Sequence, residues 1–273
     1  TAPTDSSETT KQAYFAGLPS TQFDTNTAID AVWTKGYGLK TIAYEGGPGP
    51  GGSPNGTVTG TTEDSYTYNN DPRMKDRMLV AHDTWLRNGG DMLVYYVYSA
   101  AAPWAFSNGL LMSTVSDTTS VKMQAIDAIR TGSRPAPTLG TAVPGTVYLR
   151  DANAKVITRI NGGTAWRYNG TAYRIVPHAT DASKSEFIMA PVHAAEAGTY
   201  KVSITTFDSV SSDRVEVLAN GKLIGEIIPN TGPAGQAVQS PELSADLEAG
   251  VTVIRVRAKG GSGVWLKDVV VSR

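Results

Sequence analysis

The residue in this chain best suited to do chemistry is Glu45. It closes the apolar run Leu39-Lys40-Thr41-Ile42-Ala43-Tyr44 and opens onto Gly46-Gly47-Pro48-Gly49-Pro50-Gly51-Gly52, a loop that cannot continue regular structure. A carboxylate at the C-terminal end of a parallel strand sits where α/β active sites are assembled, and there it serves as a nucleophile. The competing reading is a solvated loop carboxylate beside glycines. Other chemistries are poorly supplied. The chain has no cysteine, which removes disulfides, thiolate metal sites and a thiol nucleophile together. Its three histidines, His82, His178 and His193, lack the i, i+4 spacing of a helical zinc pair, so no metal ligand set is expected. What remains is oxygen chemistry and aromatic surfaces.

The elements that must position Glu45 follow from the hydrophobic pattern. Ala28, Ile29, Val32 and Trp33 recur at three and four residues across Thr25 to Lys35 and predict a helix ended by Gly36 and Gly38. Asp71-Pro72 opens a second helix in a cap-then-proline pattern. Met74, Met78, Ala81 and Trp85 lie on one face of it until Asn88-Gly89-Gly90. Met92 to Tyr98 is an almost wholly apolar strand, as expected when both of its faces are covered in a parallel sheet. A third helix spans Ser120 to Arg130. Strand, helix, strand, helix implies parallel βα units. Trp33 and Trp85 fall on apolar helical faces and read as core.

Residues 133–145 are rich in Pro and Gly without an apolar period and read as a linker. Beyond it, short alternating runs recur, among them Tyr200 to Ile204, Val215 to Leu218, Val251 to Arg257 and Trp265 to Val271. Asn220-Gly221 between two of them is a type I′ hairpin signal. This predicts a β-sandwich or jelly roll over 146–273. Trp166, Tyr168 and Tyr173 cluster near Asn161-Gly162-Gly163 and Asn169-Gly170, and Trp265 follows Gly260-Gly261-Ser262-Gly263. Such aromatics hold a sugar face or fill a sandwich core.

With 24 Lys+Arg against 25 Asp+Glu, the chain has no basic excess for phosphate contacts, so neither nucleic acid nor an anionic membrane surface is an expected partner. No apolar run approaches the roughly 20 residues of a membrane span.

The segment Lys40-Thr-Ile-Ala-Tyr-Glu-Gly-Gly47 resembles the seventh strand of retaining glycoside hydrolases built on a (β/α)8 barrel, in which a Glu at the strand's end is the nucleophile. Trp85-Leu-Arg-Asn-Gly-Gly-Asp91 is similar to the following helix, and Met92 to Tyr98 to the eighth strand. The resemblance implies that Glu45 attacks an anomeric carbon and that Trp104, in Ala102-Pro-Trp-Ala-Phe-Ser-Asn-Gly109, floors a sugar subsite. Tyr14 either hydrogen-bonds the Glu45 carboxylate and keeps it ionised or is a surface or packing residue, and Tyr98, nearest the C-terminal end of its strand, is the candidate to face the barrel interior. Tyr66 and Tyr68, with Glu63 and Asp64, lie in the long loop after the strand and are expected to wall the cleft.

The second half resembles the β-sandwich modules appended to such enzymes, similar to carbohydrate-binding families 6 and 35. The resemblance rests on Ala197-Gly-Thr-Tyr-Lys-Val-Ser-Ile204, Val215-Glu-Val-Leu-Ala-Asn-Gly221, Ala249-Gly-Val-Thr-Val-Ile-Arg-Val256 and Trp265-Leu-Lys-Asp-Val-Val270. It implies a carbohydrate partner, sugar contacts at Trp166, Tyr168 and Trp265, no cofactor, and a possible structural calcium for which only Asp151 stands at the matching acidic pair.

Residues 1–132 would supply about two and a half of the eight βα units, whereas a whole barrel takes about 250 residues. The resemblance therefore implies that the acid/base carboxyl comes from an N-terminal barrel segment or a second polypeptide, since retention requires two carboxyls about 5–5.5 Å apart. The expected fold class is α/β plus all-β: C-terminal units of an incomplete (β/α)8 barrel over 1–132, then the sandwich. The expected function is a secreted retaining glycoside hydrolase portion, with a non-catalytic carbohydrate-binding or structural protein as the alternative.

Overall fold

A computed structural model describes residues 3, 7–48, 67–96, 119–149, 157–159 and 171–273. The chain divides into two compact units, one formed by residues 1–24 and 42–135 and the other by 25–41 and 136–273.

In the first unit, α1 (Glu8–Ala16) starts at Ser7, whose hydroxyl accepts the Thr10 amide at 3.3 Å. Strand β1 (Ile42–Gly46) is followed by helix α3 (Arg73–Arg87), strand β2 (Met92–Tyr95) and helix α4 (Val121–Thr131), which Ser120 caps by accepting the Met123 amide at 3.1 Å. β1 and β2 pair in parallel, Ile42 opposite Met92 and Ala43 opposite Leu93, as the strand-helix-strand pattern predicts. Met74, Met78 and Trp85 of α3 are buried as their spacing predicts, and Asp71 stabilises the first turn by accepting the Arg73 amide at 3.0 Å. The unit's core gathers Phe15, Tyr68, Met74, Met78 and Ala125. The expectation that β2 is covered on both faces needs correction. Met92 and Val94, and Tyr96 just beyond the strand, are exposed, because the helices cover only the side to which Tyr95 points. Among the described residues this sheet has two strands, β1 and β2.

The second unit is a two-sheet β-sandwich. Its strands are β3 (Thr141–Val143), β4 (Gly145–Tyr148), β5 (Ile157–Arg159), β6 (Tyr173–Ile175), β7 (Phe187–Ala194), β8 (Gly198–Phe207), β9 (Arg214–Ala219), β10 (Lys222–Ile227), β11 (Ala237–Gln239), β12 (Leu243–Leu247), β13 (Gly250–Gly260) and β14 (Val264–Ser272). The first sheet runs β10-β9-β13-β7-β3 with β5 also on β7. The second runs β11-β8-β14-β4, with β12 also on β8 and β6 on β14. Val217, Ile188, Ile254 and Val256 from the first sheet meet Val147, Ile204, Leu266 and Val269 from the second in one continuous core. Asn220 and Gly221 both have positive φ, 44° and 75°, which is the two-residue I′ geometry expected between β9 and β10.

Two boundaries differ from the sequence reading. β3 lies inside the stretch read as a linker, where it pairs in parallel with β7. Helix α2 (Thr21–Gly36), read as part of the barrel portion, belongs from Thr25 onward to the sandwich unit. Ala28, Ala31 and Val32 pack with Leu139, Phe187, Met189 and Val253 on the outer face of the first sheet, and Trp33 joins them. The small side chains at 28 and 31 let the helix approach closely, and Gly36 comes so near Met189 that a Cβ there would lie 2.6 Å from its sulfur.

Candidate functional site

The first candidate centres on Glu45. The carboxylate is exposed at the C-terminal end of β1, with Gly46 and the positive-φ Gly47 after it. Among the described residues it forms no hydrogen bond or ion pair. Tyr14, a candidate to bond it, takes its other reading and packs on α1 with its ring edge-on to Tyr68 at 5.0 Å and to Phe15 at 5.3 Å. Burial raises the Tyr14 phenol above its ordinary value, which suits a packed side chain. Tyr68, expected in a cleft wall, is completely buried in the same cluster and cannot line one. Both placements have one cause: the aromatics at 14, 15 and 68 serve the small hydrophobic core of this unit. Tyr98, Tyr66 and Trp104, with Glu63 and Asp64, lie outside the described residues.

The second candidate is the outer face of the second sheet. On β14, Val264, Leu266, Val269 and Val271 point into the core, so Trp265 must point outward. Its cross-strand neighbours are Phe207 on β8 and Arg174 on β6. The Arg174 guanidinium lies 6.0 Å from the Trp265 ring and donates to the Ser262 carbonyl at 2.8 Å. One row along, Asp268 sits between Thr205 and Tyr148, and Lys267 approaches the Asp268 carboxylate at 3.7 Å. Tyr148 is 48% exposed because its neighbours Val147 and Leu149 take the inward positions. Beside this row Gln239 donates its side-chain amide to Ser203 Oγ at 2.7 Å. Asp268 itself is buried, so what this face can offer a pyranose is aromatic planes flanked by a guanidinium, an ammonium and an amide: the sugar's C–H face stacks on a ring while its hydroxyls find donors and acceptors.

On the outer face of the first sheet, α2 packs over Phe187 and Met189 of β7 and Val253 of β13. Arg255 there is enclosed by Tyr37 at 4.6 Å and Phe187 at 5.6 Å. Near the edge of that sheet Glu216 is held by Arg257 Nε at 3.0 Å and Lys259 at 3.1 Å, and Lys259 also pairs with Glu226. Burial works against the Glu216 charge, but these hydrogen bonds outweigh it and hold the carboxyl below the usual range.

Of the sandwich aromatics singled out in the sequence, Trp265 reaches this surface, Tyr173 packs against the core, and Trp166 and Tyr168 lie outside the described residues. Tyr148 and Phe207 were missed, although alternation with buried Val147 and Leu149 marks Tyr148 as outward. Asp151, the calcium candidate, is likewise outside the described residues, and among the described residues no group of three or more acidic or histidine side chains is placed to hold a metal ion.

No family model matches this chain, and no curated protein matches it. Among solved structures it is similar to a family 35 carbohydrate-binding module of Cellvibrio japonicus, with 13% identity, 47% of this chain and 94% of that one covered, and a TM-score of 0.36. It is similar to a carbohydrate-binding module from a Cellvibrio mixtus lichenase in complex with cellotriose, at 15% identity over 48% of this chain and 98% of that one, with a TM-score of 0.35. A family 36 carbohydrate-binding module in complex with calcium and xylotriose is also similar, at 12% identity over 47% and 99%, with a TM-score of 0.34.

Proposed function

We infer that this chain recognises carbohydrate, and that its sandwich unit is the binding module. The observation that carries this reading is the outer face of the second sheet, where Tyr148, Trp265 and Phe207 stand among Arg174, Lys267, Asp268 and Gln239. The four segments whose sequence resembles carbohydrate-binding modules support it, because they form adjacent strands in both sheets, β8 beside β14 and β9 beside β13. The test is affinity electrophoresis of the full chain through gels containing soluble xylans, β-glucans, mannans and galactans. Retardation by at least one polysaccharide, lost in Tyr148→Ala, is expected; migration unaffected by all of them would overturn the reading.

A second reading, a retaining glycoside hydrolase portion, is favoured by one observation: Glu45 ends the first strand of a parallel β-α-β unit and is exposed there. In this reading Glu45 attacks the anomeric carbon, a carboxyl from a further segment protonates the leaving oxygen, and the protein is exported to meet polymeric substrate. Glu45→Gln in the completed enzyme should abolish turnover while leaving polysaccharide retention intact. Full turnover in that variant would exclude the assignment.

A further inference from the structure

Arg174 and Trp265 are cross-strand partners on β6 and β14, and two turns hold the pair in place. Arg174 Nη2 donates to the Ser262 carbonyl at 2.8 Å, which brings the guanidinium to 6.0 Å from the centre of the Trp265 ring. Its Nε is buried and makes no hydrogen bond among the described residues, so that edge of the guanidinium lies against protein rather than in solvent. Ser262 is itself fixed. Its amide donates to Asp213 Oδ1 at 3.0 Å, while the other oxygen of the same carboxylate accepts the Val210 amide at 2.9 Å. Asp213 is fully buried, so a whole carboxylate is committed to holding these turns. The glycines on either side of Ser262 have φ of 84° and 110°, and a Cβ at Gly261 would lie 2.2 Å from Asp213 Oδ1. A residue with a side chain there could not let the turn come this close.

This clamp decides which aromatic planes a ligand can use. Tyr148 is 48% exposed, whereas Trp265 and Phe207 are half-buried. Along β14, Trp265 and the Tyr148–Asp268 pair stand about 10 Å apart, farther than one pyranose ring reaches. A neutral sugar stacks its C–H face on a bare ring, and a ring under a guanidinium is not bare. Uncovering it means giving up the hydrogen bond to Ser262 together with the cation–π contact, because one group makes both. We propose that Arg174 is a specificity-determining residue of the glycan surface: held by Ser262, it caps Trp265 and leaves stacking to Tyr148, so that the face reads a short neutral epitope instead of gripping a longer chain at two points. The proposal rests on the carbohydrate reading and adds to it the ligand length that the face distinguishes. The competing arrangement, in which Arg174 donates directly to sugar hydroxyls, predicts the opposite sign when the guanidinium is removed.

The test is isothermal titration of the full chain and its variants with dimers and hexamers of the xylo-, cello- and manno-oligosaccharide series. In the unaltered chain the dimer and hexamer of a bound series should have similar affinity. Arg174→Ala should bind the hexamer about fivefold tighter and the dimer no differently, and adding Trp265→Ala should remove the gain. Arg174→Gln, which keeps a polar side chain on β6, serves where alanine disturbs the fold and should give a gain of the same sign. Weaker binding of both lengths in Arg174→Ala would overturn the proposal and make Arg174 a direct donor, and unchanged hexamer binding would overturn it as well. Oxidation of Trp265 by N-bromosuccinimide, followed by peptide mass mapping, separates these failures from failure of the carbohydrate reading. Faster oxidation in Arg174→Ala, with no oligosaccharide bound by any variant, would remove the carbohydrate reading and the role in specificity with it. Equal oxidation rates would remove the cap and leave that reading intact.

Discussion

Tyr148 is the aromatic best placed to meet a sugar, since Trp265 is partly covered by the Arg174 guanidinium. Truncation to Tyr148→Ala should weaken polysaccharide binding by about tenfold or more, near 1.4 kcal/mol, with no change in thermal midpoint. Isothermal titration against the retained polysaccharide measures it, and equal loss of binding and stability would reassign Tyr148 to packing. Glu216 carries a pH prediction. Its carboxyl is held below the usual range in the folded protein, so its stabilisation is present above the unfolded value of 4.5 and is lost as pH falls through the lower folded value. Glu216→Gln should flatten the decline in thermal midpoint on acidification below that point; an unchanged slope would refute the ion-pair account. Lys122 works in the opposite range. Buried on α4 and 3.4 Å from Asn69 Oδ1, its ammonium is pushed down to about 8 by desolvation. Between that value and 10.5 the unfolded chain binds the extra proton, so stability should rise with pH, and Lys122→Met should abolish the rise.

Helix α2 shows what pattern can and cannot specify at the scale of an element. Its apolar period was legible from Ala28 to Trp33, because a helix that buries one stripe must repeat at three and four residues. What the stripe packs against was not, since Phe187, Met189 and Val253 lie more than 150 positions away in the chain, and any apolar surface satisfies the period. Ala31→Leu should therefore destabilise the sandwich unit, by about 1–3 kcal/mol through overpacking. Differential exchange measured on strands β7 and β13 would show it, and an effect confined to the first unit would contradict the packing. The Asn220-Gly221 turn was fully legible because its requirement is local: two consecutive residues at positive φ. β12 was not read, although Leu243, Ala245 and Leu247 alternate towards the core; the Pro241-Glu242 before it and Glu248 after it obscured the run. β3 was hidden for a different reason, since a three-residue strand flanked by Gly140 and Pro144 carries no period to detect.

For the molecule as a whole, the sequence reading of a parallel α/β portion followed by a sandwich describes the two units, while the residues thought to build one active site fall into different environments. Tyr14 and Tyr68 went to a core because a unit this small needs its aromatics to form one, and Glu45 is left exposed without a described partner. The sandwich, by contrast, satisfies its own core; among the described residues Tyr148 and Gln239 are exposed on the outer face of its second sheet, while α2 packs on that of the first. The central claim is that the outer face of the second sheet binds glycan. Its most direct test is nuclear magnetic resonance on the labelled full chain, titrated with xylo-, cello- and manno-oligosaccharides. The account predicts shift changes at Tyr148, Phe207, Trp265 and Lys267 with at least one series. Shift changes confined to α2 or to residues of the first unit, or none with any of the sugars, would contradict it.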